Sequence, residues 1–172
     1  MELDFTEHSP ADFSPLSRTW VYPSSRILSM AEAFDLSDQI KAFTQSWKSH
    51  GQPVKGFANL FFGQFLVIMA DETLSTVSGC STDQSVHFVQ QMETLFGVRF
   101  FDRQLLDFWI KEKVERIPLP QLSPAWQHGF IGPDTLFFNH LVSTKKEWEE
   151  KWLVPVKDSW LMKRLATTTQ TS

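Results

Sequence analysis

Six consecutive apolar residues, Phe65-Leu66-Val67-Ile68-Met69-Ala70, constrain this chain more than any other stretch. A strand with one wet face alternates apolar and polar residues. This run does not alternate, so it reads as a central strand covered on both faces or packed deeply. It falls far short of the ~20 apolar residues needed to span a membrane. Gly63-Gln64 before it suits a short hairpin connection, which makes Gly56 to Phe62 the preceding strand. Asp71-Glu72 then leaves the sheet. Upstream, Thr19-Trp20-Val21-Tyr22 reads as a first strand stopped by Pro23.

Helical signals alternate with these strands. Ser29-Met30-Ala31-Glu32 is a capping box, in which a serine oxygen and a glutamate exchange hydrogen bonds with each other's backbone N–H. The helix that follows is expected to break near Asp35 to Ser37. Leu36, Ile40, Phe43 and Trp47 then recur on one face. Gly51 is expected as the residue closing that helix, with His50 in a capping role near its end and Pro53 preventing continuation. Ser81-Thr82-Asp83-Gln84 reads as a second capping box. It opens a helix whose buried face is Val86, Val89, Met92, Leu95 and Phe96, closed by Gly97. Leu105 to Lys111 and Val114 to Leu119 read as a hairpin about Glu112-Lys113. A short helix near Gln121 to His128, a strand at Thr135 to Phe138 and a helix over Lys145 to Lys151, capped by Ser143 or Thr144, complete the pattern.

The order strand, helix, strand, strand, helix, strand predicts an α+β fold with a ferredoxin-like (split βαβ) core. The extra C-terminal hairpin strand and helices would extend its sheet or cover one face. The predicted organisation is a flexible N-terminal extension over 1–17, a single α+β domain over 18–165 and a disordered tail over 166–172.

Charge and cysteine content exclude several functions. The net charge is −4, and no dense run of Lys or Arg occurs, so neither nucleic acid nor an anionic membrane is an expected partner. The acidic start of the chain, with Glu2, Asp4 and Glu7, lacks the apolar core of a signal peptide. The only cysteine, Cys80, has no internal partner for a disulfide. A cytoplasmic location is expected. The aromatic content is skewed, with 7 Trp and 16 Phe against 1 Tyr, which fits either a Trp-rich core or a Trp-lined pocket.

Chemistry concentrates at Ser78-Gly79-Cys80-Ser81-Thr82-Asp83-Gln84-Ser85-Val86-His87. A cysteine just before a helix N-terminus gains thiolate character from the dipole and free N–H groups. Gly79, Cys80, Ser81 and Thr82 are therefore the candidate ligand-binding residues, suited to a small anion. Lys55 or Arg103 would be a cationic second contact if the fold brings one close. Cys80 as nucleophile with His87 as base is the candidate catalytic pair. The competing reading has Cys80 packed as a small apolar group in a tight connection. Asp83 and His87, one turn apart, are two ligands and do not make a metal site, so no metal or other cofactor is expected. There is no Gly-x-Ser-x-Gly elbow, no Gly-x-Gly-x-x-Gly and no P-loop.

Several of these segments together resemble a group of short bacterial cytoplasmic proteins that carry the label "ABC transporter ATPase" and have no established activity. The segments are Trp47 to Gly56, Phe65 to Glu72, Ser78 to Phe88, Phe100 to Arg103, Pro133 to Leu141 and Pro155 to Trp160. The resemblance spans roughly Trp20 to Leu165 and implies no functional residues. With Walker A and the signature motif missing, ATP hydrolysis is not expected of this chain. The reading that follows is a non-catalytic domain that binds a small molecule or a protein, with a homo-oligomer among the expected assemblies. The alternative is a small enzyme using Cys80.

Overall fold

The computed structural model describes residues 3–73 and 79–169. Within the span expected as one domain, the chain forms two compact units. The first comprises Met1–Phe101 with His140–Glu149, and the second Asp102–Asn139 with Glu150–Ser172.

In the first unit, β1 (Arg18–Pro23) leads into α1 (Met30–Ser46). A small hairpin follows, β2 (Lys48–Ser49) with β3 (Gln52–Pro53). Then come β4 (Lys55–Phe61), β5 (Phe65–Asp71) and α2 (Gly79–Phe96). The sheet order is β1-β5-β4, with both pairings antiparallel. β5 is thus the central strand, as its unbroken apolar run requires, and every one of its residues is buried.

Its two faces pack against different material. Leu66, Ile68 and Ala70 join Leu36 of α1 and Phe88, Val89, Met92 and Phe96 of α2 in one core. On the opposite face of the sheet, Phe61 meets the ring of Trp148 at 4.9 Å and Phe65 meets His140 at 5.0 Å. The expected α+β class is found. The strand after α2, however, does not complete this sheet.

That strand, β6 (Leu105–Ile110), pairs instead with β7 (Lys113–Pro118) in the second unit. α3 (Leu122–Gln127), β8 (Leu136–Phe138), α4 (Lys145–Lys151), β9 (Leu153–Pro155) and α5 (Leu161–Thr169) follow in the chain. The second sheet has the order β7-β6-β8-β9. Its core gathers Leu106, Phe108, Ile117, Phe137, Leu161 and Leu165. Side by side on β6 and β7, buried Asp107 accepts a hydrogen bond from Arg116 Nε at 2.7 Å. The apolar residues of β6 are committed to this second core, which is why β6 does not join the first sheet.

The segment expected as a flexible extension is tied down between residues 3 and 17. Buried Phe13 stacks edge-on against Phe57 at 6.3 Å, and Phe5 against Trp148 at 4.9 Å. Ser14 N–H donates to Asp71 Oδ2 at 2.9 Å, and Lys145 N–H donates to the Ser17 carbonyl at 2.9 Å. At the other end, residues 166–169, expected in a disordered tail, belong to α5, and residues 170–172 lie outside the described residues.

Local differences have physical causes. α1 is continuous from Met30 to Ser46, because Leu36 is fully buried and the packing of that face outweighs the poor helix propensities of Asp35, Ser37 and Asp38. The Ser29–Glu32 capping box is present as expected. Gly51 does not close α1 and His50 does not cap it. They form the β2–β3 turn, with φ of 49° at His50 and 78° at Gly51. Likewise the β4–β5 turn uses Phe62 and Gly63, and the β6–β7 turn uses Lys111 and Glu112, each pair with positive φ. Paired positive φ values match the right-handed twist of the flanking strands, which outweighs the strain on a non-glycine residue.

Candidate functional site

The structure places the expected chemical stretch inside a helix, and not in a loop before one. Gly79, Cys80, Ser81 and Thr82 all belong to the first turns of α2, while Ser78 lies outside the described residues. Ser81 is no N-cap. It is fully buried, its hydroxyl donates to the Lys48 carbonyl at 2.9 Å, and its own carbonyl accepts the Trp47 indole N–H at 2.9 Å. A tertiary partner has claimed the side chain that the capping-box pattern assigned to a free helix end. Gln84, the other half of that expected box, instead accepts from Lys48 N–H at 3.5 Å.

Of the two cations considered as second contacts, Lys55 is engaged elsewhere. Its ammonium donates to the Asp12 carbonyl at 2.6 Å and lies 3.7 Å from Asp71. Arg103 belongs to the second unit. The residue that the fold does bring to the start of α2 is Lys48, through its backbone.

Cys80 and His87 sit seven residues apart on the same helix, so their backbones are separated by about 10 Å along its axis. A general base must reach its proton within roughly 3 Å, or through one water. His87 is exposed. Replacing it, as His87→Gln, is therefore expected to leave the rate of Cys80 alkylation unchanged across pH 6 to 9. A shifted profile would revive the pair. Among the described residues, no group of three or more His, Cys, Asp or Glu is placed to hold a metal ion.

Tryptophan is used for packing. Trp47, Trp148 and Trp152 are among the largest fully buried side chains. Trp47 stacks on Phe43 at 4.9 Å, and Phe43 in turn stacks on Phe88 at 4.4 Å.

The unexplained apolar surface lies on α1. Leu36, Ile40 and Phe43 point into the core. At 100° per residue, Met30 and Phe34 fall on the far side of the helix, one turn apart. They are 74% and 68% exposed. Ile27, just before the helix, is exposed as well. The start of the helix is held rigid beside them. Arg26 donates to both Glu32 oxygens, at 2.8 and 2.7 Å, and to the Phe96 carbonyl at 2.7 Å. The Arg26 guanidinium, with the Ser29 N–H, holds the Glu32 carboxyl down at about 2. The sequence reading passed over this face because it followed the buried stripe. An exposed phenylalanine nearly opposite that stripe, with a methionine one turn before it, was the available signal.

No protein-family model matches the chain, and neither a curated protein nor a solved structure proved significantly similar to it. Among the described residues, no helix is long and apolar enough to cross a membrane.

Proposed function

We propose that this chain is a non-catalytic cytoplasmic domain that binds a protein through the outward face of α1. The observation that carries the reading is the exposure of Met30 and Phe34 on the side of the helix turned away from the core. A helix covering a core normally presents polar residues to water. Exposed apolar groups clustered on one element mark contact sites more often than scattered ones do. A rigid, capped helix is also a low-entropy platform for a partner. The first sheet fits descent from a ferredoxin-like arrangement, with β5 between β1 and β4. In that proposal the bridge between Arg18 and Thr144 stands on the free edge of β1, where a fourth strand would run. The resemblance to the short proteins labelled "ABC transporter ATPase" belongs to the same proposal and adds no nucleotide site.

The test is a photo-reactive phenylalanine analogue placed at position 34 in cells, with position 112 as control. Glu112 is also exposed, at a turn tip. Discrete crosslinked products are expected from position 34 and not from 112. No product from 34, or the same products from both, would remove the proposed surface.

A further inference from the structure

We infer that the occupant of this surface is a second copy of the chain, with the two α1 helices packed antiparallel about a two-fold axis. The inference rests on the contact surface proposed above and names its partner.

The outward face of α1 continues beyond Met30 and Phe34 through Asp38, Lys41 and Gln45, at helical steps of three and four. Asp38, Lys41 and Gln45 are exposed. No ion pair engages Asp38 or Lys41 among the described residues. The face therefore carries one carboxylate, one ammonium and one aromatic ring, all free to meet a partner.

Set antiparallel against itself, this face is self-complementary. Lys41 of the second copy falls in the notch between Phe34 and Asp38 of the first. There its ammonium meets a carboxylate on one side and a ring on the other. The two-fold axis repeats the contact, so Lys41 of the first copy occupies the same notch in the second. The same register lays the stem of Gln45 over Met30. The two Asp38 side chains lie nearest the axis, and their repulsion is offset by the two lysines flanking them. An unrelated partner would have to bring its own cation and anion at matching spacing, whereas α1 already holds both halves. A single helix pair buries less than the roughly 800 Å² per partner of a standard interface, so the dimer is a dissociable one.

The experiment is sedimentation velocity of the intact 19.9 kDa chain over a range of concentrations, with three variants. Asp38→Lys and Lys41→Asp each place like charges in both notches and are expected to weaken self-association about tenfold or more. The double variant, Asp38→Lys with Lys41→Asp, exchanges the two charges and is expected to restore it. Because all these side chains are exposed, circular dichroism should show unchanged folding. Recovery in the double variant supports the inference. A wild-type chain that stays monomeric at every concentration overturns it, as does a dimer indifferent to the single changes. The crosslinking from position 34 separates the two failures. Products at masses other than twice 19.9 kDa leave the contact surface standing with a different partner, and no products remove the surface itself.

Discussion

Replacing Trp47 with alanine is expected to destabilise the first unit by about 3–5 kcal/mol, a large share of the roughly 5–15 kcal/mol that holds a typical domain folded. The indole is 1% exposed. It also joins three elements: it ends α1, donates to the Ser81 carbonyl of α2, and brings the Cε3–Cζ3 edge of its ring against β4 at Gly56. Alanine would leave a cavity that three anchored elements cannot close, and would remove the indole hydrogen bond that ties the end of α1 to the start of α2. The contact with Gly56 supplies a sharper form of the same prediction. A Cβ at Gly56 would lie 2.6 Å from the indole Cε3, too close for a ring already stacked on Phe43 and hydrogen-bonded to Ser81. Gly56→Ala alone is therefore expected to cost about 1–3 kcal/mol. In the Trp47→Ala background the same methyl enters empty space, so the added cost should vanish. Urea denaturation of the two single variants and the double variant measures the coupling. Simple additivity would contradict the packing described.

Asp71→Asn should be the next most damaging change, and its effect should depend on pH. Asp71 is 4% exposed and lies at the end of the central strand. Burial by itself would raise its pKa. Hydrogen bonds from the Thr73 hydroxyl, the Ser14 N–H and the Thr73 N–H, together with the nearby Lys55 ammonium, prevail over burial and hold the carboxyl at about 2, below its ordinary 3.8. A folded-state pKa below the unfolded one means that the charged form stabilises the fold. That contribution is complete above about 3.8 and is lost as the pH falls through about 2. Its size is on the order of 2 kcal/mol. In asparagine the amide oxygen can still accept from Thr73. The amide nitrogen, though, would face two donors, Ser14 N–H and Lys55, and residues 12–17 would lose one of the contacts that hold them. Denaturation at pH 7 should show the variant weaker by about 2 kcal/mol, and the gap should narrow steadily below pH 4. Equal stability at pH 7 would show that Asp71 does not pin the N-terminal segment.

What the sequence made legible was local and strongly periodic. The run Phe65 to Ala70 announced a central strand because nothing but burial on both faces suits it. The Ser29–Glu32 box marked the start of α1 because both halves of the motif still make their reciprocal backbone hydrogen bonds, even with Arg26 also bound to Glu32. The second box failed for the opposite reason: Ser81 and Gln84 have the same spacing, but their side chains are taken up by Lys48. The two-residue strands at Lys48–Ser49 and Gln52–Pro53 are too short to carry any period, so His50 and Gly51 looked like a helix end. The departure of β6 into a second sheet depends on which distant core its apolar residues fill, and no local pattern records that. For a candidate site, the sequence draws attention to polar and nucleophilic residues, which lead to the start of α2 and away from α1. Gly79 to Thr82 looked like a loop because glycine and serine favour one. The exposed apolar pair on α1 lay within a helix whose other face had already explained it.

The central claim is that the outward face of α1 is covered by protein in use, and Met30 reports on it directly. Its thioether is exposed in the isolated chain, and mild peroxide converts exposed methionine to the sulfoxide. Mass spectrometry can follow oxidation of Met30 in dilute purified protein and in intact cells, with partly buried Met162 as the internal reference. Relative to Met162, Met30 is expected to oxidise readily in the dilute chain and several-fold more slowly in cells. The same relative rate in both settings would contradict the account.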